Sequence, residues 1–170
     1  TSIIAPAGFG KTTLLGQLYR NLINEHRQVG WLTCDEDDGD PERLVTYLIA
    51  AVMEAGVEVG ACGELVRRGL QSIAPKDILN MLIQELDEKS QALVIIIDDL
   101  HELHGKPSLD LIAHLIDRMP PKTHLVIASR TRPKLRLQKL GIQGALSKIT
   151  HADLKFTKQE SEEFLSGEAS

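Results

Sequence analysis

Leu93-Val94-Ile95-Ile96-Ile97 sets five large aliphatic residues in a row and ends in Asp98-Asp99. A strand with one wet face alternates apolar and polar side chains. A run without that alternation is buried on both faces, as in the middle of a parallel sheet. Parallel neighbours require long crossovers, usually helical, so the remaining chain must supply them. It does. Residues 1–5, Val29 to Thr33 (with Gly30 just before or inside it), Leu125 to Ala128 and a stretch within 146–155 read as further strands. Between them lie apolar stripes at helical spacing. The first, from Lys11 to about Glu25, carries Leu14, Leu15, Leu18, Leu22 and Ile23. The second, to about Ala55, opens at Asp40-Pro41, an N-cap side chain followed by proline at the first helical position. A third follows Pro75 with Ile78, Leu79, Leu82, Ile83 and Leu86, and a fourth, capped by Ser108 and stopped by Pro120-Pro121, carries Leu111, Ile112, Leu115 and Ile116. Residues 56–72 are ambiguous, with a short helix expected over Gly63 to Gly69. Thr157-Lys158-Gln159-Glu160 is a capping box that opens a final helix.

Strand and helix alternate throughout, which predicts an α/β fold: a mostly parallel five-stranded sheet, right-handed crossovers and helices on both faces. One domain is expected over residues 1–165, with a frayed tail at 166–170. In such a sheet all strands finish at one edge, and ligands bind there. The expected strand ends are Ala5, Cys34, Asp98 and Ser129, so the segments that follow them should share a rim.

On that rim, Ala5-Pro6-Ala7-Gly8-Phe9-Gly10-Lys11-Thr12 joins the first strand to the first helix. Strand, glycine-rich loop ending in Gly-Lys-Thr, then helix is the order of a phosphate-binding P-loop, with Ala5 in place of the usual first glycine. This predicts a three-layer P-loop NTPase fold. Backbone N–H groups from Ala7 to Thr13 would cradle a phosphate chain at the helix N-terminus. Lys11 would reach the β- and γ-phosphates, and Thr12 would offer its hydroxyl to Mg²⁺. Asp98, at the end of a buried strand, is the expected support for Mg²⁺, as in a Walker B segment. Asp99 is placed to orient an attacking water, and Arg130, after the next core strand, to contact the γ-phosphate. No Asn-Lys-x-Asp guanine motif occurs, so the nucleotide is expected to be ATP or ADP.

Other groups are weaker candidates. Asp35 to Asp40 lacks the EF-hand pattern and reads as a solvated acidic loop. His101 and His104 could share a helical face, but no further ligands flank them, and His101 is kept only for its closeness to Asp99. Arg118, a candidate arginine finger for a neighbouring subunit, fits a solvated charge near a helix end better. Net charge is −5, which argues against a nucleic-acid-binding segment. No apolar run is long enough to span a bilayer and no secretory leader is present. Cys34 and Cys62 form no paired-ligand motif and fit reduced thiols in a cytoplasmic protein. Thr1 already lies in the first strand, so the chain is expected to be a fragment of something longer.

The motifs also carry a family likeness. Ala5-Pro6-Ala7-Gly8-Phe9-Gly10-Lys11-Thr12-Thr13-Leu14-Leu15, then Trp31-Leu32 with Asp35 to Pro41, Ile97-Asp98-Asp99-Leu100-His101, Pro120-Pro121 with His124 to Arg130, and Asp153 to Thr157 occur in order. Together they resemble the nucleotide domain of the large ATP-binding LuxR-family regulators of the maltose-regulon activator type, members of the STAND class. The resemblance implies an ATP/ADP switch that senses an inducer, self-associates and activates transcription. It implies DNA binding only through a C-terminal domain beyond these residues. By position it assigns phosphate and Mg²⁺ to Lys11 and Thr12, Mg²⁺ support to Asp98 and the sensor role to Arg130. Two other readings stand beside the switch: an AAA-like oligomeric motor, and a nucleotide-binding module without useful turnover.

Overall fold

Each apolar run becomes a strand and each stripe a helix in the computed structural model, which describes residues 1–69, 73–135 and 144–155. The strands are β1 (Ser2–Ile4), β2 (Gln28–Thr33), β3 (Leu93–Asp98), β4 (Thr123–Ser129) and β5 (Lys148–Thr150). The helices are α1 (Lys11–Asn24), α2 (Pro41–Glu54), α3 (Gly60–Arg68), α4 (Pro75–Lys89) and α5 (Lys106–Arg118). All strand pairs are parallel, in the order β2-β3-β4-β1-β5. From β1 the chain crosses to the far edge and returns one strand at a time. β4 therefore slots between β1 and β3.

The pleat sends alternate side chains to opposite faces, and each face has its own core. Leu32, Ile95, Ile97, Leu125 and Ile127 pack against α2, α3, α4 and α5. Ile3, Val29, Ile96, Val126 and Ala128 meet Leu15 of α1. Among the described residues the two helical layers are thus unequal. At Gly30, inside β2, a Cβ would stand 2.6 Å from the Ala51 carbonyl oxygen of α2.

Among the described residues, only α2 starts under a side-chain cap. The Asp40 carboxylate accepts from the Glu42 N–H at 2.9 Å, with Pro41 at the first helical position. Ser108, expected as the cap of α5, instead lies inside its first turn. The helix opens at Lys106 after Gly105, whose φ is 118°, and no side chain caps it. The Ser108 hydroxyl donates to the Gly39 carbonyl at 2.8 Å, which pins α5 to a 3-10 turn at Glu36–Gly39. α3 begins at Gly60 rather than Gly63 and ends where Gly69 turns left-handed, φ 78°. The expected final helix, the tail and most of the basic stretch after Arg130 lie outside the described residues.

Candidate nucleotide site

Gly8 and Gly10 have φ of 81° and 72°. A Cβ at either would meet nothing within 4 Å, so glycine is needed there for the left-handed backbone and not for room. Gly10 is also the N-cap of α1 and offers no side chain to the first turn. The N–H groups at the start of α1 are left for a ligand, with the helix dipole behind them. Lys11 is only 6% exposed, and its Nζ donates to the Pro6 carbonyl at 3.0 Å. The amine thus lies back across its own loop. An ammonium has three donors, and the other two of Lys11 find no partner among the described residues.

Thr12 Oγ1 donates to Asp98 Oδ2 at 2.8 Å, joining the loop to the end of β3. Asp98 is 1% exposed, and its Oδ1 accepts from the Asp99 N–H at 2.8 Å. A buried carboxylate persists only when its oxygens are satisfied, and here both are. A hydroxyl and a carboxylate side by side are hard oxygen donors that suit Mg²⁺, an ion that keeps several of its waters. The residues present therefore fit the metal that the motif implies.

The next residue turns the chain sharply: Asp99 has φ 51°. Its side chain, 28% exposed, faces a cavity of about 230 Å³ shared with Ala7, Gly8, Gly10, Lys11, Thr12, Thr13 and Arg130. The P-loop, the second acid and the arginine, 119 residues apart from Lys11 to Arg130 in sequence, thus meet around one space. Of the expected phosphate-loop residues, Phe9 alone is absent from that lining; its ring turns towards His151.

A residue overlooked in the sequence stands beside the arginine, outside the cavity lining. Glu102 Oε1 lies 4.0 Å from Arg130 Nη1 and 3.1 Å from His101 Nε2. The His101 ring is half-buried, and Nδ1 is 3.7 Å from Asp99 Oδ1. These distances are short but the atoms are misaligned, and neither ring nitrogen makes a hydrogen bond. No local signal marks Glu102, because its neighbours come from two different strand ends. His101 and His104 do not share a helical face: a 3-10 turn ends at Glu102 and Leu103 is extended. In the acidic run, Arg43 reaches Asp35 at 2.9 Å and Asp37 at 3.4 Å. That run follows β2, at the sheet edge, with β3 and β4 between it and the P-loop strand. Arg118 stands in the last turn of α5, where a cation complements the helix dipole; α5 runs back towards the start of β4, away from the P-loop rim.

A model of the NACHT domain matches residues 2–166. The chain belongs to the NACHT family. It is 32% identical over 162 residues to the HTH-type transcriptional regulator MalT of Klebsiella pneumoniae, a match that covers 95% of this chain and 18% of the relative. MalT of Cronobacter sakazakii matches at the same identity and coverage. The likeness to maltose-activator-type STAND regulators read from the motifs is met by these findings. The chain spans about a fifth of those relatives (18%). Among solved structures, Cdc6p from Pyrobaculum aerophilum superposes with a TM-score of 0.63 at 16% identity, covering 98% of this chain and 41% of that one. The Aeropyrum pernix ORC1 protein, solved in complex with DNA, gives 0.61 at 15% identity, covering 99% and 43%. At such identities these two establish the fold alone. The NACHT domain is a nucleotide-binding P-loop module with the parallel α/β sheet described above.

Proposed function

We propose that this domain binds Mg-ATP and hydrolyses it slowly, and that the ATP or ADP state switches a longer, cytoplasmic transcriptional regulator on and off. The observation that carries the reading is the convergence of Lys11, Thr12, Asp99 and Arg130 on one cavity, with Asp98 buried behind Thr12. Lys11 and the backbone of Ala7 to Thr13 grip the phosphates. Thr12 and Asp98 hold Mg²⁺, which neutralises phosphate charge when bound. Asp99 orients the attacking water, and Arg130 answers to the terminal phosphate. DNA binding is assigned to a segment outside these residues, in keeping with the net charge of −5 and with relatives named HTH-type transcriptional regulators. Self-association in the ATP state is the proposed output.

Two variants and one titration test this. Lys11→Ala is expected to lose nucleotide binding. Asp99→Asn is expected to keep it while hydrolysis falls by roughly 10²–10⁴-fold, the usual contribution of a positioned acid–base group. Unchanged turnover in the Asp99 variant removes that residue from the mechanism. Turnover measured against protein concentration separates the alternatives. A steep rise favours an oligomeric motor, and none at all, with ADP held after purification, favours a nucleotide that serves only as structural support.

A further inference from the structure

The sheet order gives the phosphate site a direction. Asp99 and Arg130 follow β3 and β4, so the metal and the terminal phosphate belong on that side of the P-loop. A nucleotide laid in the site therefore leads its other end, ribose and base, the opposite way, past β1 towards β5. β5 pairs with β1 with Thr150 opposite Ile4, so the residue after β5, His151, stands beside the start of the loop.

What lies there is aromatic. Phosphate binding draws on the backbone of the loop and asks nothing of the side chain at position 9. That side chain is nonetheless a phenylalanine, in a protein with only 4% aromatic residues. Its half-buried ring faces away from the phosphate cavity and meets His151, centroid to centroid 6.3 Å, the rings perpendicular. His151 is exposed, on a turn that is itself held by hydrogen bonds. The Asp153 carboxylate accepts from both the N–H and the hydroxyl of Thr150 at 2.8 Å, which closes the turn that carries His151. Leu154, the next residue on, packs into the α1-side core. Two perpendicular rings make a corner: a flat heterocycle can stack on one and meet the edge of the other.

We propose that the Phe9–His151 corner is the subsite for the nucleobase, taking a purine by stacking. The proposal rests on the nucleotide-binding reading above. Base–aromatic stacking typically changes affinity by roughly 5- to 150-fold per base, and a single half-exposed corner belongs near the lower end.

The test compares two probes by titration calorimetry on the protein: ADP, which has a base, and tripolyphosphate, which has none. His151→Ala should weaken ADP binding about tenfold and leave tripolyphosphate unchanged, and His151→Phe should restore ADP binding. ADP affinity unaltered in His151→Ala overturns the proposal. So does an equal loss for both probes, which would mean that His151 only shapes the loop. Failure of the nucleotide reading itself looks different: the unaltered protein would bind neither probe, or Lys11→Ala would leave both affinities intact.

Discussion

Gly30→Ala sets two effects against each other. Glycine in a strand interior is entropically unfavourable, so on propensity alone the substitution should stabilise by about 0.5–1 kcal/mol. The packing says otherwise. An added Cβ would sit 2.6 Å from the Ala51 oxygen and 3.0 Å from its carbonyl carbon, both backbone atoms. Ordinary contact begins near 3.4 Å, so α2 must lift by roughly 0.8 Å. A gap of that size forfeits about a quarter to a half of the dispersion energy along the seam. That seam is extensive, since α2 buries Leu44, Val45, Leu48, Ile49, Ala51 and Val52. Overpacking of this kind costs about 1–3 kcal/mol, and a rigid backbone target puts it at the upper end. Net of the propensity gain, the variant should be about 2 kcal/mol less stable, with a melting temperature lower by roughly 4–8 °C for a chain of this size. Urea unfolding with an unchanged m-value measures it. An equal or higher midpoint would refute the claim that α2 rests on the backbone of β2.

Thr12→Val keeps the shape and deletes the donor to a buried carboxylate. It should cost about 1.5–3 kcal/mol in urea unfolding without nucleotide, and Mg²⁺ should no longer strengthen ADP binding. Both cysteines are buried. Burial first, then the charge of Glu85 and its hydrogen bond, push the Cys62 thiol up from 9.0 to about 12. Neither thiol should react with a disulfide reagent at pH 8 in the folded protein, and both should react in urea. Because the folded thiol holds its proton longer than the unfolded one, stability is fully present below pH 9 and falls as pH rises from 9 towards about 12. A Cys62→Ala variant should lack that alkaline component, as read from urea midpoints at pH 8 and pH 10.

What the sequence discloses is what depends on near neighbours. The Leu93 to Asp98 run shows its burial in its own composition, and Asp40-Pro41 shows its cap because the bonded N–H is two residues away. Ser108 misleads for the converse reason: its hydroxyl partner, Gly39, is 69 residues distant. Nothing near Gly30 reveals that a helix presses on it. The spacing of His101 and His104 fits a helix, yet the left-handed turn at Asp99 starts a 3-10 segment there. The candidate site was legible further than the packing, because the parallel-sheet rule gathers strand ends without any knowledge of contacts. The rule places Asp98 on the Thr12 rim. Only the structure reports their 2.8 Å bond across 86 residues, or adds Glu102 beside Arg130.

The placement of β4 is what makes these parts a site. This strand lies between β1, which leads into the phosphate loop, and β3, which ends in the acid pair. With β4 between them, β1 and β3 lie two strand spacings apart, about 10 Å. Thr12 spans that interval to Asp98 because it sits in the first turn of α1, beyond the end of its own strand. The residue that follows β4 then comes up from the middle of the gap, between the loop on one side and Asp99 on the other. In the proposed reading, that is where a terminal phosphate ends, and Arg130 can answer to its presence or loss without any movement of the sheet. Glu102, 4.0 Å from the same guanidinium, offers the arginine a carboxylate when no phosphate is there. On that reading, a sheet ordered in this way would take a phosphate chain along its rim and set the Arg130 cation at the point where ATP and ADP differ.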